Sequence, residues 1–431
     1  MLKVLLFVNL LYVVNQVHFP WETGIPGVAV ANIIFVLILL AMRGKPDQID
    51  TPGILRKPVT WFYYALLFAF LIAQLRGLRD PIADLTYLKN AVFFPLFYFL
   101  YLRCRQDLKG TRQLIIWVMV IAAVAGLEAF REGFDYGFGK YNPFRRASGP
   151  FGVDWHHANR AGVFFGMFFP MFVALALFLR NQKRLRLAAI IGIVLLAGGA
   201  LATYSRQAYL LLLLGSALLL LRRSVVASVA VAVLCVSLVG YLPDAVTARV
   251  EETQQQSATG EAEVDVSTAS RWEIWAGAMG MFRDHPLGAG LNRFKTEIGA
   301  YCKYKGMDAH NFYVLTLAET GPQGLITLLI FFVSLFRLAK FLRQNVPEGD
   351  SESQALAVGF TITTLNMMLG GLYGSPHFEG SVMGPYWALC GLLERYTILK
   401  QGGAGQSVPQ TKPPSLVERF PLAAHILPGK N

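Results

Sequence analysis

Charged residues are scarce in this chain. Asp, Glu, Lys and Arg together make up 15% of its 431 residues, whereas 54% are hydrophobic. The mean hydropathy of +0.45 is too high for an ordinary soluble protein of this length. Many apolar runs reach the roughly 20 residues that a helix needs to cross a bilayer, and the alternation typical of membrane strands is missing. The composition therefore predicts an all-α, polytopic membrane protein.

Cysteine is also rare, and several familiar catalytic motifs are missing. The four cysteines (Cys104, Cys235, Cys302 and Cys390) never form a CxxC pair, so neither a zinc site nor a disulfide framework is indicated. The sequence contains no P-loop, GxSxG or HExxH motif, which argues against an ATP-driven pump or a familiar intramembrane protease. No small-residue cleavage site follows the first apolar run, which is predicted to be a retained helix.

Twelve apolar segments are predicted to cross the membrane. Basic links follow every second helix, and because such loops stay on the cytoplasmic side, both termini are predicted to be cytoplasmic. These loops also explain the formal net charge of +12 without a nucleic-acid partner. Residues 401–431 lack apolar periodicity and are predicted to be a disordered tail after a transmembrane domain, 1–400. The predicted helices cover residues 2–17, 25–42, 59–75, 85–102, 113–130, 161–179, 187–202, 208–221, 225–241, 325–341, 355–372 and 382–399.

The predicted topology places the segments richest in polar and aromatic residues at the opposite, outer face. They are residues 131–160, the TYSRQ link, a large loop of residues 243–320 between helices nine and ten, and the GSPHFEG link before helix twelve. We predict that this face holds the functional site and that the large loop carries part of its chemistry.

Three residues in these outer segments are functional candidates. Arginine at membrane depth is costly unless it faces a partner or a water-filled cavity, so Arg206 indicates an anion clamp, with snorkelling to headgroups as the alternative. Arg271 opens the RWEIW helix, and a surface salt bridge to Glu273 or Asp284 is its alternative role. His310 lies at a loop-to-helix boundary, where its pKa suits proton transfer near neutrality, although a lone histidine is more often structural.

Four stretches of the sequence carry a family resemblance. They are SGPFG…HHANRAG before helix six, TYSRQAYLLL across helices seven and eight, RWEIWAGAMGMFRDHPLGAGLNRF in the large loop, and HNFYVLTLAETGPQGLI at its end. Together they resemble the O-antigen ligase and polymerase superfamily of bacterial inner-membrane proteins, over residues 147–397. The last two stretches are the more specific ones.

The resemblance implies a glycosyltransferase. Members move a glycan from an undecaprenyl diphosphate carrier to an acceptor hydroxyl at the periplasmic face, with inversion and without a metal, nucleotide or other cofactor. The expected activity is that of an O-antigen ligase with lipid A-core as acceptor. An O-antigen or exopolysaccharide polymerase and a protein O-oligosaccharyltransferase are the alternatives within the superfamily. A lipid-linked glycan transporter is the alternative of another class, although transporters usually carry discontinuous or repeated helices near the midplane.

By motif position, Arg206, Arg271 and His310 match the family's functional residues. The resemblance implies that the two guanidinium groups stabilise the charge growing on the diphosphate leaving group. The His310 imidazole then takes the proton of the acceptor hydroxyl. The further candidates for substrate binding are Arg145, Arg146, Arg160, Asn311 and Tyr204. The alternative for the arginines is a solvated position in a loop, and the alternative for the tyrosine is anchoring at the membrane interface.

Overall fold

The computed structural model describes residues 1–19, 28–77, 79–137, 142, 144–152, 157–226, 228–230, 233, 254–256, 262–264 and 266–405. Within these residues the chain forms fourteen α-helices and one short antiparallel hairpin. The helices are α1 (Leu2–Asn15), α2 (Val30–Met42), α3 (Arg56–Leu75), α4 (Pro81–Phe93), α5 (Leu96–Leu102), α6 (Leu108–Asp135), α7 (Ala158–Phe178), α8 (Lys183–Ala202), α9 (Arg206–Arg223), α10 (Val266–Asp284), α11 (Phe294–Glu297), α12 (Phe312–Gln344), α13 (Ser351–Gly370) and α14 (Gly380–Gly405). The hairpin pairs β1 (Gln254–Gln256) with β2 (Ala262–Val264), and 3₁₀ turns cover Gly149–Phe151, Ile298–Ala300 and Pro376–Phe378.

The predicted all-helical, membrane-spanning architecture is confirmed in outline. Six segments of the described chain are long and apolar enough to cross a bilayer, and α1 and α2 are apolar but shorter. The ninth predicted span, 225–241, lies largely outside the described residues, as do much of 243–265 and the tail beyond residue 405. The count of twelve spans therefore stays a prediction.

Most predicted spans differ from the observed helices only by a few residues at their ends, but two differ in more than that. The fourth is interrupted between α4 and α5, because Pro95 has no N–H to donate and its ring crowds the preceding turn. The tenth begins earlier than predicted, at Phe312, and bends at Gly321, which has a φ of 69° and a ψ of −173°. A side chain is strained at that φ, and Pro322 follows. The bend leaves residues 312–320 as a separate helical segment beside the large loop.

The helix α7 lies at the centre of the bundle. It packs against α8, α9 and α13, and nearly all its side chains are buried. The helices α7 and α13 run antiparallel. The end of α13 therefore lies beside the start of α7, where Gly370 is close to Val163. This arrangement brings the starts of α7, α9 and α12 to the same end of the bundle as the 371–379 link.

Salt bridges close the opposite end, where the basic loops lie. The guanidinium group of Arg395 is fully buried and lies 2.9 Å from an Asp47 carboxylate oxygen. The Arg112 Nε donates to Glu352 at 2.5 Å, which joins the start of α6 to that of α13. These ion pairs join segments that are far apart in the sequence at this end of the bundle.

The described part of the large loop has a small hydrophobic core of its own. Side chains from α10, α11 and the 312–320 segment pack together in it, separately from the main core. The loop is tied to the bundle by backbone hydrogen bonds from Ala289 and Gly290 to α12 and from Leu291 to α3. Gly290 has a φ of 103°, and a Cβ there would lie 2.7 Å from the Cα of Ala73. The glycines of HPLGAGLN thus allow the loop to lie directly against α3.

Candidate functional site

A cavity of about 500 Å³ lies at the end of the bundle that carries the large loop. Its volume is in the range of ligand-binding pockets. The starts of α7 and α9, the 292–310 segment, the start of α12 and the 373–379 link all contribute to its walls, together with α4. Polar side chains among the lining residues are Tyr87, Asn159, Arg160, Gln207, Asn292, Lys295, Asp308, His310, Glu319, Tyr373, Ser375 and Glu379.

His310 lies in the cavity wall just before α12, in a left-handed conformation with a φ of 48°. Such a φ is uncommon for a residue with a side chain and needs local support. Asp308 provides it, because one of its carboxylate oxygens accepts from the His310 N–H at 2.9 Å. The same oxygen accepts from the Ser375 hydroxyl at 2.9 Å. The two bonds fix His310 relative to the 373–379 link.

The surroundings of His310 keep its imidazole neutral. Burial lowers the pKa of His310, Asp308 opposes that effect, and the charges of Arg271 and Lys295 lower it further, so the pKa lies below the ordinary value of 6.5. Burial alone would raise the pKa of Asp308, but the His310 N–H, Lys295 and Ser375 outweigh it and the net direction is down. At neutral pH the site thus holds a neutral base beside an ionised carboxylate.

Arg271 borders the cavity from α10. Its guanidinium carbon lies 5.8 Å from the centre of the Tyr373 ring, a cation–π arrangement with a lining residue. One turn along the helix, the Trp275 Nε1–H donates to the Ala309 carbonyl at 2.8 Å. This bond docks α10 against the residue before His310. The helix therefore holds Arg271 at the edge of the cavity.

The carboxylates considered as surface partners of Arg271 are engaged elsewhere. Glu273 lies 2.8 Å from the Lys303 ammonium group. Asp284 accepts from the Tyr301 hydroxyl at 2.9 Å. Both carboxylates thus have other partners, and the role of Arg271 stays a prediction.

Arg206 begins α9 next to the cavity wall. It is half-buried and is not one of the described lining residues, whereas its neighbour Gln207 is. The Gln207 amide donates to the Gly370 carbonyl at 2.8 Å, which fixes the start of α9 against α13. Tyr204 is buried in the turn before α9, with a φ of 47°. The cavity thus contains His310, with Arg271 at its edge and Arg206 one residue from its wall.

Of the three arginines proposed for further binding, only Arg160 lines the cavity. Arg145 is exposed. Arg146 is buried, where its Nε donates to the Thr203 carbonyl at 2.8 Å and its Nη2 to the Asn159 side chain at 2.7 Å. Arg146 therefore connects the segment before α7 to the turn before α9. These bonds give it a positioning role, and direct substrate binding by Arg146 stays a prediction.

Asn311 has a structural role that the sequence analysis did not assign. Its side-chain oxygen accepts from the backbone N–H groups of Tyr313 and Val314, at 2.9 and 3.1 Å. This is the N-cap of α12, because Asn satisfies N–H groups that have no partner within the helix. The cap fixes where α12 begins and therefore where His310 lies.

A buried ion pair that the sequence analysis missed supports the loop wall. Arg293 and Asp84 are 3% and 1% exposed, and their closest charged atoms are 2.6 Å apart. Asn292 also donates to Asp84, at 3.0 Å, and the Glu319 side chain accepts from the Phe294 N–H at 3.0 Å. These bonds join α4, the loop and α12. No local pattern in the sequence identifies a pair so far apart along the chain.

Removing one partner of this ion pair should destabilise the protein strongly. Asp84→Asn leaves the Arg293 guanidinium buried without its counter-charge, and the loss expected is about 3–5 kcal/mol in the free energy of unfolding. A lower midpoint of thermal unfolding in detergent would show it. The control is Asp135→Asn, which breaks the exposed Arg131–Asp135 pair and should cost less than about 1 kcal/mol. Equal midpoints for the two variants would contradict the prediction.

Within the described ranges, no three His, Cys, Asp or Glu side chains are placed to hold one metal ion together.

Residues 191–329 match the family model described as O-Antigen ligase. The match bears out, over those residues, the resemblance to the O-antigen ligase and polymerase superfamily that the sequence motifs indicate. It runs from α8 into α12 and includes Arg206, Arg271 and His310. No curated protein matches the chain.

Proposed function

We propose that the protein is an O-antigen ligase-type glycosyltransferase of the bacterial inner membrane. It moves a glycan from undecaprenyl diphosphate to a hydroxyl of lipid A-core, at the periplasmic face. The observation that carries the proposal is the placement of a neutral histidine in a cavity wall with Arg271 at the edge, inside the stretch that matches the O-antigen ligase family.

The donor half of the reaction needs cations. As the bond between the sugar C1 and the diphosphate oxygen breaks, its electron pair goes to that oxygen, and negative charge grows on the leaving group. Guanidinium groups stabilise this charge through paired, charge-assisted hydrogen bonds, most effectively where water is excluded. Arg271 and Arg206 are assigned this role. Diphosphate is a good leaving group, so no general acid is required.

The acceptor half needs a base. The acceptor oxygen attacks C1 from the face opposite the diphosphate, which inverts the anomeric centre, and its proton passes to an imidazole nitrogen of His310. The low pKa of His310 keeps that nitrogen available at neutral pH. The Asp308 carboxylate beside it stabilises the imidazolium ion that forms. The proton then leaves to solvent.

Reconstituted transfer tests the assignment. Purified protein in nanodiscs is given a glycan on undecaprenyl diphosphate, with lipid A-core, with excess donor alone, or with an acceptor peptide. Glycan on lipid A-core is the result expected. Lengthened carrier-linked glycan would identify a polymerase, and glycopeptide a protein glycosylation enzyme. Movement of donor across the bilayer with no new glycosidic bond would identify a transporter and overturn the proposal.

A further inference from the structure

An ion pair lies across the wall of the cavity, and the chemistry proposed above leaves it unused. The Arg160 Nη2 lies 2.8 Å from a carboxylate oxygen of Glu379, and both side chains are more than a third exposed. Arg160 is in the first turn of α7, and Glu379 directly precedes α14. Both residues line the cavity that contains His310. The Arg160 guanidinium group, which is suited to bind a phosphate group, is therefore paired with a carboxylate of the protein itself.

An exposed ion pair of this kind is easily exchanged. Its attraction is weakened by solvent, whereas a diphosphate offers more acceptor oxygens and more charge to the same guanidinium group. The two partners belong to different segments of the chain, so Glu379 can leave Arg160 by side-chain rotation without moving either helix. A bound diphosphate would thus compete directly with Glu379.

We propose that Glu379 occupies Arg160 while the cavity has no donor, and that the donor diphosphate displaces it. This inference rests on the proposed function, since it assumes a diphosphate substrate. It also assigns Glu379 a part in product release. Transfer converts the doubly substituted diphosphate of the donor into a polyprenyl diphosphate with an additional ionisable oxygen, which a cationic site binds more tightly. The carboxylate opposes that gain by re-forming its bond to Arg160 as the product leaves.

Binding of farnesyl diphosphate, a short polyprenyl diphosphate, tests the proposal on the purified full-length protein. Glu379→Gln should tighten binding by about two- to fivefold, because the ligand no longer has to break an exposed ion pair. Arg160→Ala should weaken it by about tenfold or more. In the Arg160→Ala background, the gain from Glu379→Gln should be smaller than in the wild type. Glu379→Ala, measured in parallel, should reproduce the tighter binding.

Two comparisons decide the result. Asp135→Asn removes one acidic charge from the exposed end of α6 and should leave binding unchanged, which controls for net charge. Unchanged or weaker binding in both Glu379 variants, or an equal gain with and without Arg160, would overturn this inference alone. A wild-type protein that binds no farnesyl diphosphate would overturn the diphosphate donor as well. In transfer assays Glu379→Gln should lower KM for the donor and lower kcat together, because product release slows.

Discussion

Replacing His310 with alanine is expected to lower the rate of glycan transfer by about 10²- to 10⁴-fold. The acceptor hydroxyl is a poor nucleophile while it keeps its proton, and His310 is the group in the cavity wall whose burial favours a neutral, proton-accepting form. Single-turnover transfer with saturating donor measures the effect on the chemical step. Binding of farnesyl diphosphate should be nearly unchanged, since the imidazole is assigned to the acceptor.

His285→Ala is the matched control for this variant. His285 also belongs to the large loop, but its Nε2 accepts from the Arg76 guanidinium at 2.9 Å, and it is not one of the described lining residues. Its removal should leave the transfer rate within about twofold of the wild type. Transfer at the wild-type rate by a folded His310→Ala protein would remove His310 as the base.

The pH dependence of transfer gives an independent test of the same role. A base must be unprotonated, so the rate should fall as pH drops through the pKa of His310, which lies below 6.5. Of the charged groups that act on His310, Asp308 raises its pKa, and Arg271 and Lys295 lower it. Asp308→Asn removes the opposing charge, so the acid limb should move to lower pH. The Asn oxygen can still accept from the His310 N–H and the Ser375 hydroxyl. An acid limb that stays in place or moves to higher pH would contradict the assignment of His310 as the base.

Much of the helical framework could be predicted from the sequence because apolar runs of sufficient length have few alternatives in a membrane protein. The breaks were harder to predict. Pro95 and Gly321 lie inside or beside apolar runs, and hydropathy alone does not show that one span is divided or that another bends. The RWEIW motif predicted a helix that opens at Arg271, whereas α10 begins earlier, at Val266. Its docking through Trp275 depends on a tertiary hydrogen bond to Ala309.

The residues of the candidate site could be singled out from the sequence to the extent that they are unusual where they occur. Arg271 and His310 are conspicuous because they interrupt an apolar chain with charged and titratable groups at one face. Their partners were not predictable, since Asp308 reaches Ser375 from more than sixty positions away. Arg160 and Glu379 are farther apart still. The sequence analysis assigned Arg146 and Asn311 to substrate binding and did not anticipate their structural contacts. Arg146 bonds to the turn before α9, and Asn311 caps α12.

The second large effect is expected at Arg271. Its alanine variant should lose about 10²- to 10³-fold in kcat, the usual loss when one preorganised donor to a developing anion is removed. The loss is expected because Arg271 is held in place beside the cavity. Trp275 fixes α10 against the loop before His310, and Tyr373 lies beneath the guanidinium group. Because the leaving-group charge grows in the transition state, kcat should fall more than KM rises.

Two further variants, Arg271→Lys and Arg283→Ala, refine this test of Arg271. Arg271→Lys keeps the charge but not the planar fork that pairs with two phosphate oxygens, so it should restore only part of the lost rate. Arg283→Ala removes an exposed arginine from the last turn of the same helix and should leave kcat almost unchanged. If Arg271→Ala lost no more activity than Arg283→Ala, α10 would contribute only general positive charge near the cavity. The leaving-group contact would then have to come from Arg206 or Arg160, each of which the same kcat measurement can test.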